Sequence, residues 1–173
     1  AKALAELGDP KTIDPLVSAC SDDFWSVRAY AGCAVAKIGG PKALEALVGL
    51  FNDTIMEVRN QAVEATAKMG SAVVDRMIAA LKDERWRVRE HAAKTCGEIR
   101  DKAAVDALIA VCRDRDGAVK SAAAEALGKI RDAKAVPGLI KLFRDSSKIV
   151  RETAGTALIC IGQPSVNPLV EAL

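Results

Sequence analysis

The chain has 173 residues, a formal net charge of +2, and half of its residues apolar with only 3% aromatic. The near-neutral balance gives no reason to expect a polyanion partner. The shortage of rings requires a core of Ala, Val, Leu and Ile, which suits closely packed helices.

In chain order, Ala1–Leu7 reads as the end of a helix closing at Gly8, where glycine can take a left-handed turn. Lys11–Cys20 follows as a short helix, with Ile13, Leu16, Val17 and Cys20 at three-and-four spacing. After Ser21, Asp22 and Asp23, a longer helix is predicted from Phe24 to Ile38, closed by Gly39, Gly40 and Pro41. The same unit then recurs. Short helices are predicted near Lys42–Phe51, Ala72–Lys82, Ala103–Arg113, Lys134–Arg144 and Ser165–Leu173, and long ones near Ile55–Met69, Trp86–Ile99, Gly117–Ile130 and Lys148–Ile161. No stretch alternates with period two, so no strand is expected.

The valines that centre the long helices (Val27, Val58, Val88, Val119 and Val150) are spaced 31, 30, 31 and 31 residues apart. A period of this size predicts an all-α, right-handed α-solenoid of stacked antiparallel helix pairs. It would run as one unit over residues 1–173, with five pairs and a half-unit at each end. The short helices present Leu16, Leu47, Met77, Leu108, Leu139 and Leu169 in one core register. On the third long helix, an advance of about 100° per residue places Val88, Ala92, Thr95, Cys96 and Ile99 on one buried arc. Small residues beside it (Ala93, Gly97 and their equivalents) allow close approach of neighbouring helices.

The residue after each valine (Arg28, Arg59, Arg89, Lys120 and Arg151) is a cation at the edge of that arc. Six positions earlier each repeat supplies an acid: Asp22, Asp53, Asp83, Asp114 and Asp145. A charge at the edge of a core needs a partner, so an Asp–Arg ladder tying turn to helix is expected along the stack. Five copies at fixed register make this structural, not catalytic.

The Asp, the Val-Arg pair, the Ala-rich second helix ending Leu127-Gly128-Lys129-Ile130, and the segment Ala135–Ile140 opening the next helix resemble the HEAT-repeat family, in its short, phycobilisome-lyase-type variety. The resemblance covers nearly the whole chain. It departs where Arg100 and Arg131 replace the closing glycine. It implies that the second helix of each pair lines a concave surface, in a fold shared by adaptors, lyase subunits, chaperones and a few enzymes. Fold by itself assigns no function.

On the long helices the face from about 160° to 300° is where the repeats diverge. It carries Trp25, Tyr30, Met56, Asn60, Gln61, Trp86, Arg87, Glu90, His91 and Lys94. Trp25, Met56 and Trp86 share one register. Large amphipathic rings and Met are favoured at recognition surfaces, although they also plug gaps between helix starts. His91 is the lone histidine and is expected to be solvated or to contact a partner. HEAT-like di-iron enzymes carry His-Glu pairs at this place; here the order is Glu90-His91 and no other repeat has the pair, so neither a metal nor a cofactor is expected. Cys33 lacks a histidine in its register and is read as a passive small residue.

On the variable face Lys37, Lys68, Arg87, Lys94, Lys129 and Lys148 balance Glu57, Glu64, Glu90, Glu98, Glu125 and Glu152, so no phosphate-tracking groove is expected. No phosphate loop or catalytic triad stands out. No apolar run could span a bilayer and none reads as a leader, so no membrane partner is expected. The five cysteines lack any CxxC spacing and read as reduced thiols of a cytoplasmic protein. The expected function is a non-enzymatic, protein-binding scaffold. The alternative is a bilin-lyase-like or chaperone subunit cradling a chromophore- or cofactor-bearing protein. The apolar end faces leave room for end-to-end association or for further repeats in a longer parent protein.

Overall fold

The computed structural model describes residues 13–162. These form five helix pairs: α1 (Ile13–Ala19) with α2 (Trp25–Ile38), α3 (Gly40–Leu50) with α4 (Met56–Ala67), α5 (Val74–Ala80) with α6 (Trp86–Ile99), α7 (Val105–Val111) with α8 (Gly117–Ile130), and α9 (Val136–Lys141) with α10 (Lys148–Ile161). No strand is present among the described residues. The half-units expected at the two ends, including the Leu169 register, lie outside the described residues.

Consecutive long helices pack against one another, and each also packs on the short helix of its own pair, giving the two layers of an α-solenoid. The seam between layers is apolar. Leu16, Leu47, Met77, Leu108 and Leu139 are fully covered from the short-helix side, and Val58, Val88, Val119 and Val150 from the long-helix side. Val27 is only half-buried. Trp86–Ile99, Gly117–Ile130 and Lys148–Ile161 coincide with their predicted spans, whereas α4 stops two residues short, at Ala67. The later short helices open as 3-10 turns. Lys102–Ala104 and Ala133–Ala135 are capped by the Asp101 and Asp132 carboxylates, which accept from Ala103 N and Lys134 N at 2.9 Å.

Each long helix is entered through a tight side-chain turn. The Oδ1 atoms of Asp22, Asp53, Asp83, Asp114 and Asp145 accept the amides of Phe24, Ile55, Arg85, Asp116 and Ser147, all at 2.8–2.9 Å. Each exit takes a left-handed residue: Gly39, Gly70 and Gly162 with φ of 75°, 68° and 81°, but Arg100 and Arg131 with φ of 58° and 59°.

The ladder is built differently from the expected one. Arg28 does not take the carboxylate six residues earlier. Its Nη1 donates to the backbone carbonyls of Asp22 and Asp23, at 2.7 and 3.0 Å. Its Nε and Nη2 instead donate to both carboxylate oxygens of Asp53 in the next repeat, at 2.6 and 3.0 Å. Arg89 does the same with the carbonyls of Asp83 and Glu84 and the carboxylate of Asp114. Lys120 reaches Asp145 in the same way. The entry turn is the reason: it faces the Asp53, Asp114 and Asp145 carboxylates back over the preceding repeat. Burial raises the carboxyl pKa of Asp53 and Asp114, but the Arg28 and Arg89 guanidiniums and the capped amides outweigh it and hold both below the ordinary value.

One rung is missing. Asp83 is taken by Arg85 of its own turn, with Nε and Nη2 at 2.9 and 2.8 Å. Arg59 keeps only the carbonyls of Asp53 and Thr54, and its buried Nε has no hydrogen-bond partner.

Candidate protein-binding face

The outer face of the long-helix layer begins with the first turns of α2, α4 and α6. Trp25 is 47% exposed, Met56 65% and Trp86 38%, in one register on three successive helices. The Arg87 guanidinium carbon lies 4.7 Å from the centre of the Trp86 ring, a cation–π contact that stiffens both side chains. Tyr30, further along α2, is 56% exposed. Asn60 is exposed, Gln61 donates its amide to Glu57 at 3.0 Å, and Glu90 pairs with Lys94 at 2.7 Å.

His91 belongs elsewhere. It is 2% exposed, with its ring 6.2 Å from that of Phe51 and Nδ1 2.7 Å from the Arg87 carbonyl oxygen. The expectation of a solvated or partner-contacting histidine is corrected. Its register, at the 300° edge of the variable face, is covered by the preceding repeat. Burial holds the imidazole pKa below its ordinary value, against the opposing pull of the Arg87 carbonyl and Glu90.

Sequence reasoning missed Phe24 and Ile55, both exposed directly before Trp25 and Met56. Counted as helical they would fall on the buried arc. Both instead have extended backbones, with φ of −83° and −88°, where the 100° advance does not apply. The signal that could have found them is the pair of acid-led turns at Asp22 and Asp53, which place the next residues before the helix start.

A groove of about 460 Å³ crosses α6, α8 and α10 over Ala118 and Ala122, and two larger ones cut the same face. One, about 510 Å³, lies between α2 and α4 over Cys33, Ala36, Ala65 and Met69. The other, about 660 Å³, crosses α4, α6 and α8 over Val63 and Ala67, with Lys68, Lys94, Glu98 and Lys129 on its walls. A single register sets how closely neighbouring long helices approach. A Cβ added to Gly97 or Gly128 would lie 2.8 Å from the Cα of Ala126 or Ala157, so α6–α8 and α8–α10 are pressed together and make the most extensive interfaces of the stack. The equivalent residues on α2 and α4 are Ala36 and Ala67, which line the two larger grooves.

Other polar groups offer less chemistry. The thiols of Cys20, Cys96 and Cys112 are buried and pushed up to about 11, 12 and 12. Cys33 is also raised, by desolvation. Among the described residues no group of three or more His, Cys, Asp or Glu is placed to hold a metal ion. No described helix is long and apolar enough to cross a membrane.

Stacked helix pairs held by inter-repeat ion pairs, with a diversified outer face, define a helical-repeat scaffold. A family model described as HEAT repeats matches residues 1–67, 50–126, 74–159 and 106–173, and the chain belongs to that family. No curated protein matches the sequence. Among solved structures, the complex of CpcE and CpcF of phycocyanin lyase from Nostoc sp. is similar at 24% identity and a TM-score of 0.60, covering 88% of this chain and 65% of that one. Human deoxyhypusine hydroxylase in complex with glycerol is similar at 21% identity and a TM-score of 0.54, covering 92% and 77%. An engineered protein is similar at 21% identity and a TM-score of 0.58, covering 92% and 84%. At these identities the likeness speaks for the fold.

Proposed function

We propose that this chain is a non-enzymatic scaffold whose protein partner docks on the outer face of the long-helix layer, over Trp25, Met56 and Trp86. One observation carries the reading: three large side chains in a single register stay exposed on successive helices while the leucine and methionine register of the short helices is fully covered. Tyr30, Asn60, Gln61, Arg87, Glu90 and Lys94 surround that row and would set orientation through polar contacts. The two tryptophans are the only ones in the chain, so their fluorescence reports on this face alone. Peptides selected by display on the immobilised protein should shift that emission. Trp25→Ala or Trp86→Ala should cost about 2 kcal/mol, near thirty-fold in Kd, if these rings are anchors. Ligands that leave the emission unchanged and ignore both substitutions would refute the assignment.

A lyase-like or chaperone subunit is the second reading, supported by the likeness to the CpcE and CpcF complex. A visible absorption shift on mixing with a free bilin would favour it. Three buried cysteine thiols fit a reducing compartment, so a cytoplasmic location is part of the proposal. End-to-end association between copies would appear as a concentration-dependent mass in sedimentation.

A further inference from the structure

The charges on the long-helix face fall into two groups. On α6, α8 and α10 all but Arg87, which lies over Trp86, satisfy one another: Lys94 with Glu90 at 2.7 Å, Lys129 with Glu98 at 2.8 Å and with Glu125 at 2.6 Å, and Lys148 with Glu152 at 3.4 Å. On α2 and α4 they do not. Among the described residues Lys37, Lys68, Glu57 and Glu64 make no ion pair, and Glu57 accepts only the Gln61 amide. All four line the groove between α2 and α4.

Lys37 and Lys68 occupy the register that Glu98 and Lys129 occupy two repeats on. Glu98 and Lys129 reach each other from adjacent helices, so two ammonium groups at the same register can converge on one shared anion. Both lysines and Glu64 act electrostatically on the Cys33 sulfur in the groove floor, so two cations face one acid there. Glu57 lies toward the opposite end, about 16 Å from Lys68 along α4 at 1.5 Å per residue. The groove is therefore dipolar: net cationic at the helix C-termini, where Lys37 and Lys68 outnumber Glu64, and anionic at Glu57 toward the N-termini, with a floor of Ala36, Ala65 and Met69.

We propose that this groove is the docking slot for an extended segment of the partner carrying one acidic and one basic side chain about five residues apart. That spacing follows from about 16 Å at roughly 3.3 Å per extended residue. The acidic group sits between Lys37 and Lys68, the basic group meets Glu57, and small apolar side chains between them lie on the floor. The inference rests on the reading of this face as a binding surface and adds the chemistry of what binds.

Four labelled hexapeptides test it by fluorescence anisotropy at low salt: KALAAE, its reverse-charge form EALAAK, and the like-charged KALAAK and EALAAE. At least one mixed-charge peptide should bind about ten-fold tighter than both like-charged ones. Salt at about 0.5 M, where the Debye length falls below about 5 Å, should erase the difference. The double variant Lys37→Glu/Lys68→Glu should make KALAAK the preferred ligand, and Glu57→Lys/Glu64→Lys should make EALAAE preferred. These side chains line an open groove, and circular dichroism checks that each variant stays folded. Equal binding of all four peptides, no binding of any, or a preference untouched by the charge swaps would overturn the proposal. Display-selected ligands that need Trp25 or Trp86 but ignore the charge swaps would sink the slot and leave the binding face standing.

Discussion

Arg85→Ala removes an ion pair and should nevertheless stabilise the protein. The carboxylate of Asp83 is held by Arg85 in a pair of which half of the arginine side chain is exposed. Such pairs contribute about 0.2–1 kcal/mol. The rungs Arg28–Asp53 and Arg89–Asp114 are largely covered instead. Hydrogen bonds to charged groups contribute about 1.5–3 kcal/mol, and a buried donor left without a partner costs about 1–3 kcal/mol. Arg59 Nε is such a donor. Freed from Arg85, Asp83 can take the position that Asp53 and Asp114 hold against their arginines, for a net gain of about 1–2 kcal/mol after the exposed pair is lost. For a chain of this length that corresponds to a rise of about 2–8 °C in Tm. Hydrogen exchange should slow at the start of α6, where the closed rung ties α4 to the next turn. A double-mutant cycle gives the sharper check. Arg59 and Asp83 should couple weakly in the parent and by about 1–2 kcal/mol with Ala at position 85. A fall in Tm, or the same coupling in both backgrounds, would refute the argument.

Three further outcomes are expected. Arg100→Gly and Arg131→Gly, at φ of 58° and 59°, should each stabilise by about 0.5–1 kcal/mol in urea titrations, since only glycine adopts that backbone without strain. Gly97→Ala should cost about 1–3 kcal/mol, because the new methyl would lie 2.8 Å from the Ala126 Cα, and backbone cannot rotate away as a side chain can. His91 has its pKa lowered by burial, so its contribution is complete above about pH 6.5 and is lost as the pH falls below that. The carboxyls of Asp53, Asp114 and Asp145 are also lowered, and their contribution persists until about pH 4. Tm measured from pH 8 down to 5 should therefore decline, and His91→Gln should flatten that decline. An unchanged slope would show that the imidazole does not cause it.

Periodicity alone carried the reading a long way. The recurrence of valine, cation and acid set the number of pairs, the core registers and most helix limits, because side chains that face a neighbour every 31 residues are constrained alike in every copy. The tertiary structure decided which groups meet. Sequence distance favoured an Asp six residues before each Arg, but the entry turn aims that carboxylate at the preceding repeat, and the partner lies 25 residues ahead. An angle about a helix axis placed His91 on the outer face, yet it cannot say how closely the next helix stands on that side. That separation depends on single methyl groups at the contact between neighbouring helices, glycine at 97 and 128 and alanine at 36 and 67.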